Sequence, residues 1–267
     1  MPPHGPRSPN LKALRRASSA LVGWLADRGV PRPLRGLVYG SYCRATGADP
    51  REAELDMSDY PSLGAFFVRR LRPGARAIDP APGLLVAPCD GRLQALGRIE
   101  RGTLLQAKGS AYGLDELLGG PAAELEDAFT ATIYLSPRDY HRVHAPLAAT
   151  LEEVRWLPGE RRSVAPDVLA RRARVLATNE RAVLALASEV GRAWLVMVGA
   201  LNVGRIRVVG VEPGRGPAQR LDFARGAELA RFEMGSTVVL IVPGARAVAG
   251  LAPGDALRLG QRLATFP

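Results

Sequence analysis

A glycine, a serine and a threonine stand directly before an apolar stretch near the carboxyl end of the chain. Gly235, Ser236 and Thr237 separate the polar run 231–233 from the sequence Val-Val-Leu-Ile-Val, which is typical of a buried strand. A strand that begins there holds the Ser236 hydroxyl at its rim. Because Gly235 has no side chain, its carbonyl is open to close approach, and the nearest nucleophile is Ser236 itself. Alone, the motif is more typical of a plain turn that enters a strand.

Two of the three histidines lie together in residues 136–146. Prolines at both ends of this stretch disfavour a long helix and predict a structured loop. Imidazole titrates near neutral pH, so His141 and His144 could divide proton-transfer work between them. Alternatively, both histidines could serve only as hydrogen-bond donors to backbone carbonyls in the loop. We expect no metal site, because a third ligand is missing: His4 lies in a Pro- and Gly-rich terminus and the cysteines are not clustered.

An aspartate occupies a tight turn between two short apolar runs. The pair Asp90-Gly91 is typical of a hairpin turn. An aspartate in such a turn is rigidly held, as a carboxylate that orients a histidine must be. Asp90 is therefore a candidate for that role.

The charge of the chain points to anionic partners. Its 267 residues include 36 Lys and Arg against 26 Asp and Glu, a formal charge of +10, and 47% are hydrophobic. We expect one globular domain with an accessory segment, and either nucleic acid or an anionic membrane as partner. The low aromatic content and the lack of a binding motif argue against nucleic acid. Cys43 and Cys89 form neither a disulfide framework nor a zinc pattern, which favours a reducing, cytoplasmic compartment.

The basic residues are concentrated near the amino terminus. Residues 1–40 contain seven basic residues and one acid. Apolar residues recur there at helical spacing, which predicts a basic amphipathic helix: they are Leu11, Leu14, Leu21, Trp24 and Leu25. Such a helix could lie on an anionic lipid surface or pack on its own domain. No apolar run approaches the ~20 residues that span a bilayer, so we expect peripheral contact only.

The remaining pattern predicts an α+β protein. Residues 34–44 and 62–71 indicate two short helices. The alternating run 129–135 and the apolar runs 194–198 and 237–242 indicate strands. We therefore predict a helical, membrane-associating region over 1–75 and a β-rich catalytic domain over 76–267.

Three motifs together resemble the signature set of the phosphatidylserine decarboxylases. They are Ala-Pro-Cys-Asp-Gly-Arg at 87–92, Tyr-Leu-Ser-Pro-Arg-Asp-Tyr-His-Arg-Val-His at 134–144, and Phe-Glu-Met-Gly-Ser-Thr-Val at 232–238. Further similar segments stand around them at 66–71, 74–79, 108–109, 179–181, 198–204 and 225–228. The resemblance extends from about residue 40 to residue 242. One departure is Met234, where the family often has Leu, and this near-volume replacement should preserve function.

The resemblance implies a proenzyme that makes its own pyruvoyl cofactor. By this reading Asp90 orients and stabilises His144, which takes the proton of Ser236, and the alkoxide attacks the carbonyl of Gly235. Ester formation, elimination and loss of ammonia leave a β chain of residues 1–235 and an α chain of 236–267 that begins with a pyruvoyl group derived from Ser236.

The resemblance also implies the reaction of the mature enzyme. The pyruvoyl ketone forms a Schiff base with the amine of phosphatidylserine, and the adjacent amide carbonyl accepts the electrons released when carbon dioxide leaves. His141 donates the proton, and hydrolysis gives phosphatidylethanolamine. The implied setting is a homodimer that is peripheral on the cytoplasmic face of the cell membrane. The spacing of the two histidines does not itself assign their roles.

Two other functions share some of these residues. A serine hydrolase that uses Asp90, His144 and Ser236 on an external substrate would keep its chain intact. A lipoyl-like β module, with Lys108 as its modification site, would tolerate loss of both histidines.

Overall fold

The computed structural model describes residues 24–107, 110–200, 206–233 and 236–267. Most of the predicted amphipathic helix that starts at Leu11 lies outside these residues, as do Lys108 and Gly109, residues 201–204, and Met234 with Gly235. Within the described ranges, no helix is both long enough and apolar enough to cross a membrane.

A fifteen-residue helix follows residues 24–27, which are also helical. This helix, α1, spans Arg32–Thr46, with a proline in its first turn, where the missing N–H costs nothing. Gly47 ends it with φ 81° and donates its N–H to the Cys43 carbonyl, a left-handed cap that glycine adopts without strain. The helix predicted over 34–44 is therefore confirmed.

The second predicted helix is much shorter than expected. Helix α2 spans only Leu63–Phe67, capped by Ser62, whose Oγ accepts from the Ala65 N–H. The prediction of a helix over 62–71 was wrong because the chain after Phe67 pairs with an earlier segment: Glu54 N–H donates to the Arg70 carbonyl, and Arg72 N–H to the Glu52 carbonyl. That segment contains two 3-10 turns, Pro50–Glu52 and Met57–Asp59.

Sixteen strands and three further short helices follow in the part of the chain that the structure describes. The strands are β1 Leu84–Val86, β2 Gly91–Arg98, β3 Thr103–Ala107, β4 Ser110–Gly113, β5 Phe129–Leu135, β6 Arg142–His144, β7 Ala149–Leu157, β8 Arg181–Ser188, β9 Gly191–Gly199, β10 Ile206–Val208, β11 Leu221–Phe223, β12 Glu228–Phe232, β13 Ser236–Val242, β14 Arg246–Ala247, β15 Ala256–Leu257 and β16 Arg262–Thr265. The helices are α3 Leu114–Leu118, α4 Pro166–Leu169 and α5 Val175–Thr178, and a 3-10 turn occupies Ala123–Leu125.

Eight of the strands form one antiparallel sheet. Their order is β11-β7-β8-β9-β13-β5-β2-β15, so β13 lies near the middle between β9 and β5. The smaller sheets are β10-β12-β6, β1-β16-β14 and β3-β4. The predicted strands at 129–135, 194–198 and 237–242 correspond to β5, β9 and β13. The mixed α+β class, with helices first and a β-rich domain after them, is confirmed.

Both faces of the large sheet are covered by apolar clusters. Alternate residues such as Val238 and Leu240 pack in one cluster with residues of β6, β10 and β12. Their neighbours, such as Val239, pack in a second cluster with α3, α4 and α5. The alternating run of β5 places Thr130, Thr132 and Tyr134 on this second side, and Thr132 is only 1% exposed there. Because side chains alternate along a strand, Ser236 lies on the same face as Val238, towards β6 and β12.

Two predicted local features differ from the structure. Asp90-Gly91 does not close a hairpin, because β1 pairs with β16 while β2 pairs with β5 and β15. The turn instead joins strands of two different sheets. The predicted loop at 136–146 contains the short strand β6, which places His144 on a strand paired to β12. The domain boundary at residue 75 stays a prediction.

Candidate active site

Ser236 is the first residue of β13 and is completely buried. In register it lies between Leu135 of β5 and Gly199 of β9, each the last residue of its strand. Its side chain is 0% exposed, and its Oγ has no hydrogen-bond partner among the described residues. An unsatisfied buried hydroxyl is costly, and such an exception calls for a functional explanation. The predicted position of Ser236 at the rim of a strand is confirmed.

His141 is buried beside the chain that leads to Ser236. Its carbonyl accepts from the N–H of Phe232, the last residue of β12, and the four residues from Phe232 to Ser236 can span at most about 14 Å. The imidazole donates from Nδ1 to the Asp139 carbonyl at 2.8 Å, since a carbonyl can only accept. This leaves Nε2 with a lone pair, and Nε2 has no partner in the described parts of the chain.

Burial keeps His141 neutral. Desolvation lowers its pKa to about 3, an effect that the Asp139 carbonyl opposes and the Arg69 charge reinforces. The ring also packs on Phe67, with centroids 4.0 Å apart. At neutral pH, His141 therefore presents an unprotonated Nε2 in an apolar setting.

His144 is held at both ring nitrogens. Nδ1 donates to the carbonyl of Gly226 at 2.8 Å, and Nε2 accepts from the Tyr140 hydroxyl at 3.1 Å. Burial lowers the pKa of His144, and this outweighs the opposite effects of the Gly226 carbonyl and of the Glu228 and Asp90 carboxylates. His144 is therefore a neutral base whose lone pair lies on Nε2.

Asp90 is near His144 but does not hydrogen-bond to it. Its carboxylate accepts from Nε and Nη2 of Arg76 and from the backbone N–H of Leu259. The predicted orienting contact is therefore replaced, with the Gly226 carbonyl as the acceptor that fixes the His144 ring. The physical reason is that the Asp90 carboxylate forms a buried ion pair with the Arg76 guanidinium. The Asp90 carboxylate influences His144 only through its charge, which raises the pKa of that histidine slightly against the larger effect of burial.

Arg76 joins Asp90 to the amino-terminal region. Its guanidinium also donates to both carboxylate oxygens of Glu52, at 3.0 and 2.7 Å. The side chains of Arg76 and Asp90 are only 7% and 8% exposed. The bidentate geometry suits a buried arginine.

We predict that Arg76→Gln destabilises the protein by about 3 kcal/mol, because the buried Asp90 carboxylate loses its counter-charge, whereas Glu52 keeps Arg258 at 3.5 Å. Urea unfolding of the uncleaved Ser236→Ala form measures this. Arg51→Gln is the matched control: its ion pair with Asp49 is exposed, so its loss should destabilise the protein much less. Equal losses in the two variants would contradict the proposed importance of the buried network.

The amino-terminal helices hold the loop that carries the histidines. The hydroxyl of Tyr42 in α1 donates to the Pro137 carbonyl. Arg69 Nη2 donates to the Arg138 carbonyl at 3.3 Å. With the packing of Phe67 on His141, these contacts place the end of α1 and the region after α2 directly against the site.

Comparison with known proteins agrees with the motifs. A family model described as phosphatidylserine decarboxylase matches residues 63–265. Curated proteins named phosphatidylserine decarboxylase proenzyme are similar along most of their length. The protein of Xanthomonas axonopodis pv. citri is 42% identical over 93% of this chain and 94% of its own. That of Marinobacter nauticus is 40% identical over 85% of each, and that of Myxococcus xanthus 38% over 93% and 94%.

The chain belongs to the phosphatidylserine decarboxylase family. The predicted class, a carboxy-lyase made as a zymogen for phospholipid biosynthesis, is thereby confirmed. Proenzymes of this family carry a pyruvoyl group derived from a serine. Ser236 fits that group, because its hydroxyl is buried, unpaired within the described residues, and positioned at a strand end. Strand β12, which precedes it in the chain, contacts the backbone of both neutral histidines: Glu228 pairs with His144, and the Phe232 N–H donates to the His141 carbonyl.

Two contributors to this family site were not predicted from the sequence. The Gly226 carbonyl carries no side-chain signal, although Arg225–Glu228 belongs to a segment similar to the family. Tyr140 stands four residues before His144 in a family motif. This closeness in the sequence is the feature that could have identified it as a site residue.

Proposed function

We propose that this decarboxylase cleaves its own chain between Gly235 and Ser236, and that Asp90, His141, His144 and Ser236 do the chemistry. The observation that carries the proposal is the buried Ser236 hydroxyl without a partner among the described residues. A buried hydroxyl that is not committed to another acceptor is free to donate to a base and to attack the neighbouring carbonyl.

In the proposed cleavage His144 is the base. Its Nε2 lone pair takes the proton of Ser236, and the Oγ attacks the carbonyl carbon of Gly235. The peptide C–N bond breaks as the ester forms, with the proton passing to the released amine. Nε2 accepts a hydrogen bond from the Tyr140 hydroxyl. This hydrogen bond must break before Nε2 can take the proton of Ser236. The Asp90 charge stabilises the imidazolium that results.

In the proposed decarboxylation the pyruvoyl group would supply a ketone carbon that condenses with the substrate amine and an adjacent amide carbonyl that takes up the electron pair left by carbon dioxide. The role of His141 is to place a proton on the serine carbon in exchange for the carboxylate. Since burial keeps His141 neutral, it must gain this proton when the anionic substrate enters, because a nearby negative charge raises a histidine pKa.

Release of labelled carbon dioxide tests this activity. Detergent-dispersed phosphatidylserine, labelled in the serine carboxylate, should give labelled carbon dioxide and an equal amount of phosphatidylethanolamine. Ser236→Ala should give neither. Full activity in Ser236→Ala would contradict the assignment of the cofactor to this residue.

An apolar surface on the amino-terminal helices supports peripheral membrane association, which we place on the cytoplasmic face. The residues Leu34, Leu37 and Val38 of α1 are 50%, 66% and 37% exposed, and Trp24 and Leu25 are also exposed. The opposite side of α1 packs through Tyr39 against Tyr60 and Phe66. Docking through the exposed side would bring the histidine loop, which Tyr42 holds, close to the lipid.

We predict that the double variant Leu37→Glu with Val38→Glu lowers binding to anionic vesicles at least about tenfold, because it removes apolar contact and adds negative charge. Vesicle sedimentation measures this, and intact mass checks that self-cleavage persists. Val190→Glu is the control, since Val190 is exposed to a similar degree but lies in the turn between β8 and β9. Unchanged sedimentation of the double variant would remove α1 from the proposed membrane surface.

The family resemblance also supports a homodimer. Analytical ultracentrifugation of the processed protein should give twice the mass of one β and one α chain. A mass of one pair would exclude the dimer under those conditions.

A further inference from the structure

A cavity of about 480 Å³ opens at the same end of the large sheet as Ser236. Its walls include Trp156 and Leu157 at the end of β7, Arg181 at the start of β8, and Ile206 of β10, and Pro213 and Gly214 also line it. Arg181 donates to three backbone carbonyls, so its guanidinium is held away from any ligand. Glu180 also lines the cavity and is paired with Arg161 at 3.0 Å, so the rest of the wall is apolar apart from Arg207.

The register of the strands fixes the distance of this cavity from the reactive residue. Arg181 pairs with Val198, and Gly199 pairs with Ser236. Strands β8 and β7 are thus two and three places from β13, or about 10 and 14 Å at the usual spacing of about 4.8 Å per strand. A ligand attached at Ser236 can reach the cavity only through a linking group of that length.

Arg207 lies beside strand β12, which runs from the side of the cavity towards Ser236. Arg207 lines the cavity and pairs in register with Arg231 of β12, the strand that leads to Ser236. Its side chain is 40% exposed, and its Nε lies 3.5 Å from Glu233. A guanidinium has five donors and suits a phosphate group.

The loop that covers the cavity is held in place. Trp156 Nε1 donates to the Arg215 carbonyl at 2.6 Å, which holds the segment with Pro213 and Gly214 over β7. The wall is thus fixed by the contact of one lining residue with the loop backbone.

We infer that this cavity and Arg207 form the subsite for the phosphoglycerol and acyl-ester part of the phospholipid, while its amino group reacts at position 236. The inference rests on the proposed function. Amine, phosphate and acyl ester follow one another along the lipid in the same order as Ser236, Arg207 and the apolar cavity. Arg207 binds the phosphate, and the cavity receives the first carbons of an acyl chain.

Two soluble substrates with the same head group test the subsite: dihexanoyl-phosphatidylserine and glycerophosphoserine, which has no acyl chains. Pro213→Trp fills the cavity from its loop, so it should raise KM for the diacyl substrate about tenfold and leave KM for glycerophosphoserine unchanged. Arg207→Gln should raise KM about tenfold for both substrates, since each carries the phosphate and a charge-assisted hydrogen bond is lost.

Two controls match these variants. Gly216→Trp places the same ring on the same loop outside the cavity, where an added Cβ meets nothing. Arg192→Gln removes an ion-paired arginine, the partner of Glu152, from the opposite end of the sheet. Intact mass before the assays shows that each protein folds and processes itself. If Pro213→Trp does not cleave itself, the comparison of Arg207→Gln with its control Arg192→Gln tests the subsite instead.

The outcomes distinguish failure of the subsite from failure of the proposed function. A wild-type protein that processes itself, with variants whose KM values stay within twofold of their controls, would overturn the subsite alone. A wild-type protein that releases no carbon dioxide would overturn the proposed function and the subsite with it. If Pro213→Trp changes the sedimentation coefficient but not KM, the cavity receives a second copy of the chain and the lipid assignment is wrong.

Discussion

His144→Ala should leave the chain at full length. General-base catalysis contributes about 100- to 10,000-fold to a rate, and His144 is the only base in the proposed cleavage. Its neutral state and fixed ring, held by Gly226 and Tyr140, are what that role requires. We expect self-cleavage to slow at least about 100-fold, measured by intact mass over hours after purification.

The matched variant is His141→Ala, which removes the other buried histidine from the same loop. It should still cleave itself but release carbon dioxide at least about 100 times more slowly. Far-ultraviolet circular dichroism of both proteins checks the fold. Complete cleavage of His144→Ala, or an uncut His141→Ala beside a normally cleaved His144→Ala, would contradict the division of roles.

Acid should destabilise the uncleaved protein through His141. Its pKa is about 3 in the folded chain and about 6.5 when unfolded, so between these values the unfolded state binds more protons. Stability is therefore fully present above about pH 6.5 and is lost as the pH falls towards 3. The loss is about 1.4 kcal/mol per pH unit, or roughly 3 kcal/mol between pH 6.5 and 4.

Urea unfolding of Ser236→Ala at several pH values measures this effect, with Ser236→Ala/His141→Gln as the reference. Carboxylates titrate in both proteins, so the difference between their free energies of unfolding isolates His141. That difference should shift by about 3 kcal/mol against the histidine protein between pH 6.5 and 4. A constant difference would mean that His141 binds its proton over the same pH range in the folded and unfolded chains, which would contradict a pKa lowered by burial.

The sequence predicted the elements around the site better than the contacts within it. Apolar runs indicated β9 and β13, and a start of β13 at Ser236 followed from Gly-Ser-Thr, because local composition determines where a strand begins. The helix predicted over 62–71 failed after Phe67, since residues 70–72 pair with residues 52–54. No local pattern encodes such a long-range pairing.

The hydrogen-bond partners of Asp90 were likewise not predictable from the local sequence. A triad was expected from residue types, yet Arg76 is fourteen residues upstream and the Gly226 carbonyl belongs to the backbone. Which group orients His144 depends on how three separate sheets meet, and this is decided by packing. The cavity beside Arg207 likewise forms only when β7, β8 and β10 come together, so no single segment predicts it.

Intact mass under denaturing conditions, with wild type and Ser236→Ala prepared side by side, tests the central claim most directly. We predict two fragments from wild type that divide after Gly235, the smaller one bearing a pyruvoyl group in place of its amino-terminal serine, and one full-length chain from Ser236→Ala. Full-length chains in both samples would contradict self-processing at Ser236 and would favour a serine hydrolase that keeps its chain intact.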